Sequence, residues 1–481
     1  MLEFRTPRRE DAKKIKKCFS LSYRLCGFAP LRLRGCQLLK ITFIYPAVGK
    51  KPGATYIQTW KMEPLTIATL KALTPAAMAV EFFDDRLELI DYETQTDLVA
   101  ITVETYTARR AYQIAAKFRA RGIPVILGGP HPTLLPDEAE QFADAILVGN
   151  AETVWGQILR DAQQGQLQQR YDGAPGYAVL PDRSIFQGKT YLPLGLVETG
   201  RGCPFHCEFC ATSAYYQAHY YPRPVSDVVA DIRRSGKKYF FLIDDNLAAN
   251  PEYAIELCQA LTPLKIFWAS QASLHVAANP ELLKWLAKSG CFVLLIGLES
   301  CEDANLTQMR KEWTLALGAR AELVQRIHAA GISIYATFVF GFDSDTPASF
   351  ASALDFSLEH GFFFAAFNHL LPFPGTPLYA RLHREKRLLT EKWWLAPDYH
   401  YGKIVFTPHH LSPEELSAQC VAARRKFFGF AAIASRGAVL LRRHVPLRLF
   451  AAYWGQNLTM KREVTEKFDL PLGEGLDELP K

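Results

Sequence analysis

Between Arg201 and Cys210 the chain reads RGCPFHCEFC, which places Cys203, Cys207 and Cys210 at C-x3-C-x2-C spacing. Three thiolates from one short loop can hold three corners of a cubane [4Fe–4S] cluster and leave the fourth iron without a protein ligand. An iron left open in that way is a place for chemistry. Zinc is a competing reading, because it accepts a Cys3His set and His206 is close at hand. His206 lies between two of the cysteines, however, and a ring there would strain to reach the same ion. A third reading, three unrelated cysteines, has against it the adjacent Gly202 and Pro204 and a position just after a strand-like run. The other cysteines, at 18, 26, 36, 258, 291, 301 and 420, show no such clustering. Ten cysteines in 481 residues do not make a secreted disulfide framework.

Such a loop needs a frame to hold it. From residue 41 onward short apolar runs alternate with helical patterns, the signature of a parallel α/β architecture. One series has strands near 41–45, 79–83, 98–103, 124–128 and 145–149, with helices at 107–121 and 136–143. It predicts a doubly wound, Rossmann-like domain over 41–165. Residues 166–192, rich in Gln and Gly, read as a linker. A second series has strands near 193–199, 239–243, 266–271, 292–297, 332–340 and 363–370, with helices at 251–262, 280–289, 316–330 and 346–359. It predicts a partial (β/α)6 TIM-like barrel over 193–380, with the active site in the loops at the strand C-termini. A mainly helical region follows over 381–481.

The cysteine spacing, with the aromatic Phe209 before the last cysteine, resembles the signature of the radical SAM superfamily. The resemblance implies that the open iron is chelated by the amino and carboxylate groups of S-adenosylmethionine (SAM), and that reductive cleavage yields a 5′-deoxyadenosyl radical. It also implies SAM contacts from Phe209, from Asp244 and Asp245 at the end of the second barrel strand, from Gln271 at the third, from Glu299 in GLES at the fourth, and from Gly341 at the fifth. Carboxylates at 244 and 245 suit the methionyl ammonium.

The first domain resembles the cobalamin-binding domain often fused ahead of such barrels. The residues that carry the resemblance are GGPHPTLLPDEA at 128–139 and VGNAE at 148–152. Glycines after a parallel strand allow a ligand to approach the backbone closely. The implied cobalamin contacts are Thr102, Thr105, Gly128, Gly129, His131, Gly149 and Glu152, all on the carboxyl edge of one sheet. Many such domains carry Asp-x-His-x-x-Gly after the first strand, whose His ligates cobalt. The corresponding YPAVGKKPGATY at 45–56 has no His, and His131 follows the wrong strand. The resemblance therefore implies a base-off cobalamin without His ligation, with His131 as a polar or capping residue.

Together these features imply a cobalamin-dependent radical SAM enzyme that methylates an unactivated carbon of a small molecule. An oxidoreductase or cyclase with the same cofactors is the alternative. A tRNA methylthiotransferase would need further cysteines in its first domain, and none occurs between residues 37 and 202. A non-catalytic cobalamin or metal sensor would not need the cysteine trio. An electron donor such as flavodoxin or ferredoxin is the implied protein partner.

Charge and composition agree. Basic residues number 55 and acidic residues 49, but residues 1–40 hold 11 basic and 3 acidic, so the surplus sits in an N-terminal extension. That placement argues against a nucleic-acid face. Extension and body alike lack a secretory h-region or an apolar run of about 18 residues, which predicts a cytoplasmic protein. Segment 427–457, apolar with Arg436, Arg442, Arg443 and Arg448, is read as packing on the barrel, with a peripheral membrane contact as the alternative. The proline-rich LLPFPGTPLY at 370–379 reads as the rim of the substrate cavity or as a barrel closure. A hydrophobic or anionic small molecule is the expected substrate.

Overall fold

Runs of Val, Ile, Leu and Phe become strands wherever both of their faces can be covered. In a computed structural model, which describes residues 39–177, 179–443 and 445–477, these runs build two parallel sheets. The N-terminal extension, with Cys18, Cys26 and Cys36, lies outside the described residues. The first sheet comprises β1 (Lys40–Tyr45), β2 (Ala79–Asp84), β3 (Leu98–Thr102), β4 (Val125–Gly128), β5 (Ala145–Gly149) and β6 (Arg170–Gly173), in the order 2-1-3-4-5-6. Its central strand, β3, is buried along its whole length because helices pack on both faces. The order reverses between β1 and β3, the place where open α/β sheets bind ligands.

The sixth strand comes from the stretch that reads as a linker. β6 pairs in parallel with β5 at the sheet edge, and of its four residues only Tyr171 is buried. A short, polar edge strand leaves almost no hydrophobic pattern. Phe186, in the same stretch, also joins the core of this sheet.

The second sheet begins with β7 (Gly195–Glu198). A two-stranded hairpin, β8 (Gly200–Gly202) with β9 (Tyr220–Pro222), brackets the cysteine loop. β10 (Tyr239–Ile243), β11 (Phe267–Ala272), β12 (Cys291–Glu299), β13 (Ser333–Phe340) and β14 (Phe364–His369) complete a six-stranded open barrel in strictly sequential order. Burial alternates along its strands. Phe240, Leu242, Trp268, Leu294, Ile334 and Phe367 are covered by the outer helices, while Phe241, Gln271, Leu295, Tyr335, Thr337 and Asn368 face the lumen and are half-buried.

The C-terminal region fastens the two sheets together. Helix Pro413–Phe427, opened by a reciprocal Ser412–Glu415 capping box, packs along β14. Helices Phe430–Arg442 and Leu447–Lys467 bring Ile433, Leu440 and Tyr453 against Val293 and Phe363 of the barrel. At its far end the second of these helices meets the segment that follows β1, where Glu463 accepts from the Thr59 N–H at 2.9 Å and Lys467 donates to the Thr59 hydroxyl at 3.0 Å. The expected packing of segment 427–457 on the barrel is what the structure shows. Arg436 is fully buried and donates to the carbonyls of Phe362, Phe363 and Phe427. Among the described residues no helix is long and apolar enough to cross a membrane.

β15 (His400–Tyr401) pairs antiparallel with β16 (Leu470–Pro471). Beyond β16 the chain lies on the loop that follows β1, with the Gly473 N–H donating to the Val48 carbonyl at 2.7 Å and the Lys50 N–H to the Glu474 carbonyl at 2.9 Å. Trp393, Trp394 and Leu472 enter the core of the first sheet.

The close pairing of β5 with β6 depends on Gly149, whose φ is +82° and where a Cβ would sit 2.2 Å from the Gly173 carbonyl oxygen. Gly149→Ala is expected to cost about 1–3 kcal/mol of stability through backbone strain and this clash. Urea denaturation of the variant beside the parent checks it, and an unchanged midpoint would refute it.

Candidate active site

The cysteine loop is anchored from both sides. Glu208, between Cys207 and Phe209, is buried against Arg381 at 2.8 Å. Its backbone N–H donates to Met309, and its carbonyl accepts from Leu378. Leu378 and Arg381 belong to helix Pro377–Arg384, which follows the proline-rich turn. That turn thus buttresses the cysteine loop. It also reaches the first sheet, because Gly375 lies against Leu134 and Pro372 accepts from the Trp393 indole.

Cys203, Cys207 and Cys210 are free thiols, each half-buried. Cys203 Sγ accepts from Asn246 Nδ2 at 3.6 Å. Burial pushes the Cys207 thiol up to about 12, with the Lys311 charge working against it. A thiolate there needs a strong positive partner, which an iron cluster supplies. Among the described residues no three His, Cys, Asp or Glu side chains converge as a single metal ion requires, whereas a cubane takes its cysteines at separate corners. Three cysteines from one loop are the donor set that a cluster with one open iron takes.

Asp244 and Asp245 end β10 but face different partners. Asp244 is buried and accepts from Thr199, Tyr220 and the Asn246 N–H at 2.8–2.9 Å. Burial raises its carboxyl to about 7 against those bonds. Asp245 accepts from the Gly202 N–H at 2.7 Å and from Thr212, and Gln271 donates to its carbonyl at 3.0 Å. These bonds bring Asp245, Gln271 and the cysteine loop together, as expected for one site.

Glu299 ends β12 with φ +64°, where the pairing with β13 shifts register. This left-handed backbone is costly for a glutamate. It turns the carboxylate onto Lys311, a residue the sequence reading missed, at 2.7 Å. Burial works against the Lys311 charge, but Glu299 and Cys207 together hold its proton affinity above the ordinary lysine value. Gly297 makes room for the pair, since a Cβ there would lie 2.1 Å from Glu299 Oε1 and 2.9 Å from Lys311 Nζ. Nothing in the MRK tripeptide at 309–311 marks Lys311 beforehand.

Two further expected SAM contacts have protein neighbours of their own. Phe209 sits edge-on to Phe342 at 6.1 Å. The space left at Gly341 is filled by Phe406 and Leu416, because the C-terminal region closes over that strand end.

Between the two sheets lies a cavity of about 490 Å³. Thr102, Gly128, Gly129, Gly149 and Glu152 line it from the first sheet, and Glu198, Arg201, Thr212 and Asp245 from the barrel. Its depth is apolar, walled by Leu70, Ala100, Ile126, Leu147 and Trp155. Gly129 has φ +107°, and a Cβ there would sit 2.9 Å from the Val103 carbonyl. An edge rich in glycine above an apolar slot suits a large ligand with a flat, buried end.

Two expected cobalamin contacts need correction. Thr105 and His131 do not line the cavity. His131 is fully buried, with Nδ1 3.3 Å from Thr105 and Nε2 3.2 Å from Glu138. Glu138 also accepts from the Trp394 indole at 2.8 Å and pairs with Lys392, so His131 belongs to a structural network reaching into the C-terminal region. Glu152 lines the cavity, but its carboxylate is taken by Arg201 at 2.7 Å.

The radical SAM superfamily model matches residues 197–357. Bacteriochlorophyllide d C-12(1)-methyltransferase of Chlorobaculum tepidum is 31% identical over 389 residues, covering 78% of this chain and 84% of that protein. The chain belongs to the radical SAM superfamily. The C-8(2)-methyltransferase of the same organism is 29% identical over 69% of this chain and 78% of its own length. In fold, this radical SAM protein resembles OxsB, a cobalamin-dependent SAM radical enzyme, with TM-score 0.62 at 15% identity over 89% of this chain and 72% of OxsB. It also resembles the methyltransferase TsrM from Kitasatospora setae, with TM-score 0.57 at 17% identity over 80% of this chain and 82% of TsrM.

The Glu138 network makes a pH prediction. Burial alone would raise this carboxyl, but bonds from His131, Trp394 and Lys392 lower it to about 2. A carboxyl lowered on folding contributes stability above its unfolded value and loses it as pH falls toward the folded one. Glu138→Gln should therefore cost about 2–3 kcal/mol at pH 7. The penalty should shrink between about pH 5 and pH 2, as denaturant titrations across that window will show. A penalty independent of pH would refute the assignment.

Proposed function

We propose that this chain is a cobalamin-dependent radical SAM C-methyltransferase acting on a hydrophobic small molecule. The observation that carries the reading is the cavity shared by the carboxyl edges of both sheets, glycine-lined on one side and bordered by Asp245 on the other. Cys203, Cys207 and Cys210 hold the cluster; Asp245, Gln271 and the Lys311–Glu299 pair surround SAM. Thr102, Gly128, Gly129 and Gly149 would support cobalamin along the cavity edge. The loop after β1 has no His and is backed by residues 470–477, so it would supply no imidazole to a bound cobalamin. The methyltransferase names of the two Chlorobaculum relatives favour methyl transfer over ring closure.

When bound, the cluster and cobalamin supply electron transfer to SAM and a carrier for the methyl group. The chain's own part is orientation. Arg201 fixes the two sheet edges by joining Glu152 to Glu198, and the lumen presents a mainly apolar wall that keeps water from a reactive carbon. Like other radical SAM enzymes this one needs a reductant, for which a flavodoxin or ferredoxin is the natural class.

Anaerobic incubation of reconstituted enzyme with methyl-labelled SAM, cobalamin, reductant and an extract of apolar metabolites tests the reading. Label is expected in a carbon-bound methyl group of the product, with 5′-deoxyadenosine as coproduct. Replacing the three cysteines with Ala should abolish both. Turnover that gives 5′-deoxyadenosine and an unlabelled product would favour the oxidoreductase or cyclase.

A further inference from the structure

The two C-terminal helices that pack on the barrel each have a second face. A helix laid on a folded domain normally turns charged residues outward, as helix Pro413–Phe427 does with Glu414, Glu415, Arg425 and Lys426. Helices Phe430–Arg442 and Leu447–Lys467 differ. On the first, Phe430, Ala434, Ala438 and Leu441 recur at helical spacing and are all exposed. On the second, Leu447, Ala451, Gly455 and Leu458 repeat that spacing and are exposed as well. Leu447 is 81% exposed, Phe430 63% and Leu441 53%. Both stripes lie on one side of the hairpin. Leu441 and Leu447 flank its turn, and at the open end Lys461, one turn beyond Leu458, sets its Nζ 3.2 Å from the centre of the Phe430 ring.

The charge around these stripes has one sign. Residues 416–462 contain nine Lys or Arg and no Asp or Glu. Arg436 is buried in the contact with the barrel. Arg425, Lys426 and Arg442 are exposed, and among the described residues none of them meets a carboxylate. Arg448, beside Leu447, lays its guanidinium over the Phe267 ring at 3.7 Å, and Arg462 pairs with Glu466. Apolar side chains ringed by cations match a bilayer with anionic head groups, where leucines enter the acyl boundary and the basic groups stay among the phosphates. A second copy of the chain would set two cationic rims against each other. Residues 1–40, with 11 basic and 3 acidic, carry the same sign and are equally unsuited to cover the face.

We propose that the outer face of this helical hairpin seats the protein on an anionic membrane surface. Phe430, Leu441 and Leu447 enter the head-group boundary, and Arg425, Lys426 and Arg442 meet the phosphates. The protein lies on the bilayer and does not span it. This docking is independent of the methyltransferase reading, which needs no membrane.

Full-length holoenzyme is floated with vesicles of phosphatidylcholine alone and of equal parts phosphatidylcholine and phosphatidylglycerol. Binding to the mixed vesicles is expected to be about 10- to 100-fold tighter than to the neutral ones and to weaken as salt rises. Leu441→Ser combined with Leu447→Ser should lower it by at least about tenfold, and Arg442→Glu combined with Lys426→Glu by a similar factor. Leu389→Ser, at a leucine 57% exposed outside the hairpin, should leave it unchanged. The leucine pair is decisive, because the basic residues 1–40 can also draw the chain to anionic lipid. Cluster absorbance and circular dichroism establish that each variant is folded. Failure to float with the mixed vesicles, equal binding to both kinds, or parent-like binding by the leucine pair would each overturn the proposal. A dimer in solution that the leucine pair dissolves would assign the face to a second copy instead. Binding of soluble polyglutamate as tightly as the mixed vesicles would assign it to an acidic protein.

Discussion

Arg201 is the contact on which the assembly of the site turns. It lies on β8, directly before the cysteine loop, and joins Glu198 of the barrel to Glu152 of the first sheet at 2.8 and 2.7 Å. Its guanidinium also covers the Tyr177 ring. Two carboxylates on one buried guanidinium leave its own charge fully met, and the planar fork constrains direction as well as distance. Parallel strands deliver their loops to a single edge. An ion pair between two such edges therefore sets the distance between everything the loops carry.

The C-terminal region gives that arrangement rigidity. The Leu447–Lys467 helix packs on the barrel near one end and holds Thr59 at the other. Trp393 and Trp394 complete the core of a sheet that ends more than two hundred residues earlier. Residues 470–477 occupy the backbone of the loop after β1. A cavity between two layers, open to a large ligand, loses buried area where the layers part. The long-range packing of this last hundred residues replaces it.

Apolar and polar groups are divided in the site according to task. The slot below the first sheet and the barrel lumen are mainly apolar, and polar groups occur where a charge must be met. Asp245 faces the cysteine loop and Lys311 pairs with Glu299 beside Cys207. The strained backbone at Glu299 is the local cost of directing one of these groups.

How much of this was legible beforehand follows from the range of each interaction. Strand runs, the sequential barrel and the cysteine loop are local patterns, so the chain alone determined them, and Asp245 and Gln271 followed because strand ends are predictable from the strands. Glycines 129 and 149 were legible for the same reason, since positive φ and close backbone approach require them. β6 escaped notice because an edge strand needs one buried face and here shows a single buried side chain. The placement of His131, the capture of Glu152 by Arg201 and the filling of the Gly341 gap by Phe406 were decided only in three dimensions. Each depends on what a residue meets from a segment far along the chain, and the same carboxylate or imidazole is a ligand in one surrounding and a structural partner in another.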